Sequence, residues 1–499
     1  MSSIISSEAV GSDSRREAIL LWIGFGFLTL SAGSMAWAVV RQFLAGGISQ
    51  AGFLLLLPGW AVSAWLLHRS LDRWLPGRDP LLLPCGLLLM GWGVLAVWRL
   101  LPEFGARQLA WFLAVIGIIY EVGRMRGTLF WLRRYRAAWL LLGLVLLGLT
   151  LFFGTNPSGA EARLWLGCCG LYMQPSELLR LLLIAYLASY FADRLMPGDD
   201  RPARGGLWPL LVPLLVVWGL AVALLAAQRD LGTGSLILAL LAVMLYLVSR
   251  RWEALAIGLV LLLAAGLMAM SLSEVVQSRV ETWLNPWNDP LASSYQTLQA
   301  LLAMATGGIL GTGPGFGAPG IIPAAHTDFV FAAIVEEWGL IGGVGLLSVL
   351  AVVTSRGLRA ATQARDAYAA IRGSGLAIAI GIQAFLILGG VLRLLPLTGI
   401  PLPFVSYGGS SLLTTGVALA LLIRISALRS EKPRFALSIR RIHTAGLLVW
   451  AALALAVGWW TVVRGPELRV RPENPRPEAS APADLVLAAR LDRLSRSKV

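Results

Sequence analysis

The sequence predicts an all-α, polytopic membrane protein with about 13 transmembrane helices, and three observations carry that expectation. Of its 499 residues, 57% are hydrophobic and 14% charged, and the mean hydropathy is +0.74, far too apolar for a soluble domain of this length. Apolar runs of about 20 residues, each able to cross roughly 30 Å of hydrocarbon, recur along most of the chain. The basic residues behind the net charge of +14 fall in short connections between those runs. That placement makes anionic membrane lipids their expected neighbours and argues against nucleic acid.

In chain order, spans are expected near 18–41, 51–68, 80–101, 107–123, 137–154, 174–192, 207–227, 233–249, 254–271, 328–354, 374–394, 408–427 and 443–464. The first run leads straight into the second, so it reads as a span rather than a cleaved leader. Arg69, Arg73 and Arg78 mark one basic connection, and Arg124, Arg126, Arg133, Arg134 and Arg136 another. Further basic connections follow near 194–204, 250–251, 356–372 and 429–441. Their alternation with connections poorer in arginine puts the N-terminus in the cytoplasm. Residues 155–173 and the long connection 272–327 then lie outside, as does the polar tail 465–499. After Gly307 the density of glycine and proline excludes a regular helix in the long connection. Cys85, Cys168 and Cys169 have no metal spacing and read as free thiols, and His68, His326 and His443 are too scattered for a zinc site.

Ionisable residues in or beside membrane helices are costly, so each is a candidate for function. Glu177, Asp230, Asp328 and the pair Glu336–Glu337 all belong to the outer side. Each has a structural alternative. Gln174 or Ser176 could cap a helix with Glu177 in its first turn, and Asp230 could cap the helix that begins near Leu231. Glu336 and Glu337 point about 100° apart, so one is expected to face the interior and meet a polar partner. Asp328 follows a loop that cannot be helical, beside Thr327 and two residues from His326. It could act as an N-cap, or as a general base with outer aqueous access and a partly dry wall. In LPLTGIPLPFVSYGGSSLL, 395–413, the small residues suit a packing hinge and helix cap, and Arg393 needs a negative partner or a phosphate.

Together these motifs resemble the SEDS family (shape, elongation, division and sporulation), of the RodA/FtsW type. The carrying residues are RLWLG at 163–167, QPSE at 174–177, Asp230-Leu231-Gly232-Thr233, TWLNPWNDP at 282–290, Tyr295-Gln296 with Gln299, AHTDFVFAAIVEEWGLIG at 325–342 and TGIPLPFVSYGGSSLL at 398–413. The resemblance implies a ten-helix core over 80–428, preceded by a 1–79 region with two extra helices. A basic loop and one extra helix follow at 429–464, ahead of the 465–499 tail.

The resemblance also implies a peptidoglycan glycosyltransferase of the bacterial cytoplasmic membrane. It would polymerise lipid II, the undecaprenyl-diphosphate-linked disaccharide-peptide, at the outer face, with a class B penicillin-binding transpeptidase as partner. Asp328 takes the place of the family's catalytic aspartate. Substrate binding falls to Arg163, Gln174, Glu177, Arg180, Asp230, Arg279, Gln296, His326, Thr327, Glu337 and Ser410. No organic cofactor is implied, and a divalent cation or arginine would offset the diphosphate, with Arg163, Arg279 and Arg180 as candidates in that order. The chain departs from the family pattern in having Arg180 for a lysine, Gln228-Arg229-Asp230 for Gln-Pro-Asp, and no lysine or glutamate in GFGAPGIIPAA before His326. An asparagine expected near Gly389–Gly390 is also absent. The last span and WWTVVRGPELRVRPENPRP resemble the anchor of a penicillin-binding protein. Two other classes remain open: a transporter flipping lipid II, and a non-catalytic scaffold that activates a transpeptidase.

Overall fold

The computed structural model describes residues 2–44, 51–156, 163–168, 171–194, 208–428, 430 and 433–476. Its helices are α1 (Ser2–Leu44), α2 (Leu56–Trp74), α3 (Leu82–Leu100), α4 (Pro102–Arg124), α5 (Thr128–Arg134) and α6 (Arg136–Phe153). Next come α7 (Pro175–Ala192), α8 (Trp208–Ala227), α9 (Leu231–Ser249), α10 (Glu253–Leu272), α11 (Glu274–Leu284) and α12 (Tyr295–Gly307). The chain continues with α13 (Val330–Thr362), α14 (Ala367–Val391), α15 (Gly409–Ala427), α16 (Ala436–Gly458) and α17 (Gly465–Arg469).

A helix stands at each of the 13 expected spans. Among the described residues, 11 are long and apolar enough to cross a membrane. Helix α2 falls short because its second half carries His68, Arg69, Asp72 and Arg73, and the stretch of α8 whose side chains are described, Leu214–Ala227, is apolar but shorter than a span. The fold is not wholly helical. Strands β1 (Leu166–Cys168) and β2 (Leu171–Met173) form a short antiparallel hairpin, extended by a bridge between Thr155 and Trp165. Cys168 is a free thiol there, and Cys169 lies outside the described residues.

Helix α13 is the centre of the bundle, packing on α3, α12, α14 and α16. Helix α4 packs on α15 and α7 on both α6 and α14. In hydrocarbon, apolar burial gives little drive for helices to associate, so close approach and polar contacts decide the arrangement. Gly93 shows the first: a Cβ there would sit 2.6 Å from the Val405 carbonyl oxygen. At the basic pole of the bundle, Arg356 on α13 bonds Asp79, just before α3, at 2.6 Å. The extra helices α1 and α2 join the same body, with Arg78 pairing with both Glu17 and Asp72.

The opposite pole collects the starts of α7, α9, α13 and α15 together with α11 and α12. Here α13 is broken at Gly339 (φ 66°). The 308–313 strand of loop fills the break: Leu340 N–H donates to the Gly308 carbonyl (2.8 Å), and Thr312 and Gly313 N–H donate to the carbonyls of Glu336 (3.0 Å) and Glu337 (2.9 Å). Backbone freed from a helix at membrane depth must find such partners, and only glycine leaves room for this loop. Beyond the last span, the tail forms α17 and then ordered turns as far as Arg476, so its first third is built into this pole. Its remainder, 477–499, lies outside the described residues.

Candidate active site

Asp328 sits at the end of a run of tight turns. Ala324 takes a left-handed φ of 51°, and its carbonyl accepts from the N–H groups of Thr327 (3.1 Å) and Asp328 (3.2 Å). The residue capping α13 is Phe329, which makes no side-chain cap, so neither Thr327 nor Asp328 is consumed as an N-cap. The 401–408 loop clamps the turn. Tyr407 N–H donates to the His326 carbonyl (2.8 Å), Ser406 Oγ to the Thr327 carbonyl (2.5 Å), and Gln108 on α4 to the Ser406 carbonyl (3.1 Å). The His326 ring stacks on Phe104, with centroids 5.0 Å apart, and burial lowers its basicity.

The Asp328 side chain is left half-buried beside Arg279 of α11. Gly399 (φ 69°) lies between the two side chains: a Cβ there would lie 3.6 Å from Arg279 Nη2 and 3.7 Å from Asp328 Oδ2. Burial pushes the Asp328 carboxyl above its ordinary value, partly opposed by the Arg279 charge and a hydrogen bond from Thr327.

A second carboxylate, Asp230, caps α9 as one reading of the sequence expected, accepting from Thr233 N–H at 3.1 Å. It also accepts from Ser176 Oγ (3.2 Å) and Gln174 Nε2 (3.3 Å), while Ser410 Oγ accepts from Gln174 N–H (2.9 Å). Burial raises its carboxyl, and these donors oppose the rise. Arg229, where the family pattern has proline, takes φ 62°, which a pyrrolidine ring forbids. Gly232 brings α9 against the Thr398 carbonyl, next to Gly399, which ties this cluster to the Asp328 loop.

Glu177 is not accompanied by a side-chain cap from Gln174 or Ser176, contrary to that alternative. It turns inward instead, accepting from Arg180 Nη2 (2.7 Å) and Thr414 Oγ1 (3.1 Å). Arg180 also bonds Gln383, whose amide donates to the Pro401 carbonyl at 2.8 Å. Both members of the Glu336–Glu337 pair are buried, where one was expected to be. The break at Gly339 and the added loop enclose both. Glu337 accepts from Arg99 Nε at 3.1 Å, and Glu336 from Arg476 Nε at 3.0 Å.

Other expected residues stand apart. Arg163 is exposed just before β1, and Gln296 is exposed on α12. Arg393 pairs with no acidic side chain among the described residues. Its guanidinium donates to the carbonyls of Trp283 (2.8 Å) and Leu284 (2.5 Å), the negative end of α11. Gln383, Thr414 and Arg99 were missed, although polar groups inside apolar runs were a readable signal. Arg476 lies in a segment that carried none. Two surface concavities, of about 400 and 560 Å³, are at the basic pole. So is the acid–histidine grouping found among the described residues, Glu17, His68 and Asp72, which Arg78 already bridges.

Comparison with known proteins places this geometry. The family model described as cell cycle protein, covering FtsW, RodA and SpoVE, matches residues 88–431. The peptidoglycan glycosyltransferase RodA of Mycobacterium tuberculosis is 37% identical over 375 residues, 72% of this chain and 80% of that protein. A solved structure of a peptidoglycan synthase complex, described as coordinating polymerization and crosslinking, aligns with a TM-score of 0.59 at 27% identity, covering 71% of this chain and 99% of that one. Thermus thermophilus RodA aligns with a TM-score of 0.54 at 26% identity, covering 72% of this chain and 100% of that one. This multi-pass membrane protein therefore belongs to the FtsW/RodA/SpoVE cell cycle protein family.

Proposed function

We propose that Asp328 is the general base with which this chain, a peptidoglycan glycosyltransferase, extends glycan strands from lipid II. The observation that carries this reading is an asymmetry among the carboxylates of one pole. Glu177, Asp230, Glu336 and Glu337 are each held by several donors or an arginine, whereas Asp328 is half-exposed with Arg279 beside it. A base needs a free lone pair and a raised proton affinity, and Asp328 has both.

In the step proposed, the 4-hydroxyl of the acceptor sugar attacks the anomeric carbon of the donor and passes its proton to an Asp328 oxygen. The carbon–oxygen bond to the lipid diphosphate breaks, and its electron pair leaves with the diphosphate. Direct displacement turns the α-diphosphate into a β-glycosidic bond. A diphosphate leaves without a general acid, but positive charge assists it. Arg279 supplies that charge beside the base, and Arg163 stands apart from it. Arg180 is only 4% exposed and bonded inside the bundle, so its role is to hold Glu177 and, through Gln383, the 401–408 loop. A divalent cation would serve the same diphosphate. His326, Thr327, Gln174 and Ser410 line the approaches.

The pole of Asp328 faces the outside of the cytoplasmic membrane in this reading, with the N-terminus in the cytoplasm. The arginine-rich connections at the other pole support that orientation. A class B penicillin-binding transpeptidase is the partner, by analogy with the synthase complex. Purified chain incubated with lipid II, with and without such a transpeptidase, tests the reading: glycan strands are expected, and their absence with the partner bound would contradict it.

A further inference from the structure

The family match ends at 431, yet the chain beyond it returns to the Asp328 pole and is bonded there. Trp460 Nε1 donates to the Leu392 carbonyl (2.9 Å) and Arg469 Nε to the Ala305 carbonyl at the end of α12 (2.6 Å). Asn474 Nδ2 donates to the Arg469 carbonyl (3.2 Å), and the Arg471 guanidinium lies 4.0 Å from the Trp287 ring centroid. The deepest contact is Arg476, 3% exposed. Its Nε donates to Glu336 Oε1 (3.0 Å) and its Nη1 to Gln299 Oε1 (3.0 Å), and Gln299 Nε2 returns a bond to the Glu473 carbonyl (3.1 Å).

We propose that residues 465–476 form an intramolecular clamp on the loop that carries Asp328, with Arg476 as its positioning residue. The inference rests on the reading of Asp328 as the reacting group. Glu336 Oε1, which accepts from Arg476, also accepts from Ala318 N–H at 2.9 Å. The Glu336 carbonyl accepts from Thr312 N–H at 3.0 Å. Both ends of the 312–318 loop therefore hang on Glu336. From Ala318 the chain runs through the Pro319–Ile321 turn and the tight turns of 322–327 to Asp328. On the other side, Arg99 bonds Glu337 and donates to the carbonyls of Gly315 (3.1 Å) and Gly317 (2.9 Å). One arginine comes from the matched core and the other from the segment beyond it, and together they grip the loop.

The chemistry requires the second arginine. Glu336 is 1% exposed, and a buried carboxylate stripped of its cation is left uncompensated and turns toward water. That turn weakens the charge-assisted bond to Ala318 and lets the loop shift. A shift there moves Asp328 relative to the sugar hydroxyl and slows the chemical step more than it weakens binding.

Full-length Arg476→Gln, Arg476→Lys and Asp328→Asn, assayed on lipid II, test this. Arg476→Gln is expected to lower kcat about tenfold per folded molecule, with KM changed by less than about twofold. Arg476→Lys should recover part of the loss, and adding Glu336→Gln to Arg476→Gln should cost nothing further, because the two act as one unit. Amide exchange over 312–318 should quicken in Arg476→Gln while α9 keeps its protection. A wild-type kcat in folded Arg476→Gln, or a loss matched wholly by a smaller folded fraction, would overturn the clamp. The Asp328→Asn arm reads separately: full activity there would bring down the base reading, whatever Arg476→Gln shows.

Discussion

Glu336 and Asp328 stand eight positions apart and reach the same pole, but their surroundings differ in kind. Glu336 is buried and carries an arginine and a backbone N–H on one oxygen. Asp328 is half-exposed, with Arg279 near it and a hydroxyl beside it. The first carboxylate is committed to holding a loop, and the second is free to accept a proton. Burial marks both as unusual, so burial alone does not distinguish structure from chemistry. Access does: the second Glu336 oxygen is buried without a hydrogen-bond partner among the described residues and out of reach of a substrate, whereas Asp328 is partly exposed.

The largest expected effect separates the two kinds directly. Asp328→Asn should reduce polymerisation of lipid II by about 10²–10⁴-fold while leaving the thermal unfolding midpoint in detergent unchanged. Glu177→Leu should do the reverse in character. It leaves Arg180 unpaired inside the bundle, at a cost of about 3–5 kcal/mol, visible as a lowered midpoint. The double change to leucine at Glu177 and Arg180 should regain much of that loss.

Arg279→Gln sharpens the comparison through pH. Activity requires ionised Asp328, so it falls as pH drops through a carboxyl value already raised by burial. Removing the Arg279 charge takes away an influence that lowers that value, so the acid limb of the rate profile should move to higher pH. The smallest effect belongs to Asp230→Ala, which removes the cap of α9 and should cost about 1 kcal/mol of stability.

Much of this was legible in the chain. Apolar runs and basic connections placed a helix at every expected span, and the motif order led to the family. Asp328 stood out because a glycine- and proline-rich loop precedes it. Individual partners were not legible, because they join residues far apart in the chain. Nothing near Glu177 announces Gln383 or Thr414, and nothing near Glu336 announces Arg476. The inward turn of both Glu336 and Glu337 depends on the break at Gly339, which the regular helix assumed for EEWGLIG conceals. The ordered 465–476 segment was hidden for a simpler reason. Its arginines and prolines have no apolar period, and its order comes from docking on α12 and α13.

The role of Asp328 is tested most directly by the rate of lipid II polymerisation as a function of pH for wild type and Asp328→Asn, each checked for folding. With Asp328 as the base, the wild-type rate rises through a limb above the ordinary carboxylate range of about 4, and the Asp328→Asn rate is near background at every pH. Strands made by folded Asp328→Asn at the wild-type rate, with the same pH limb, would contradict it.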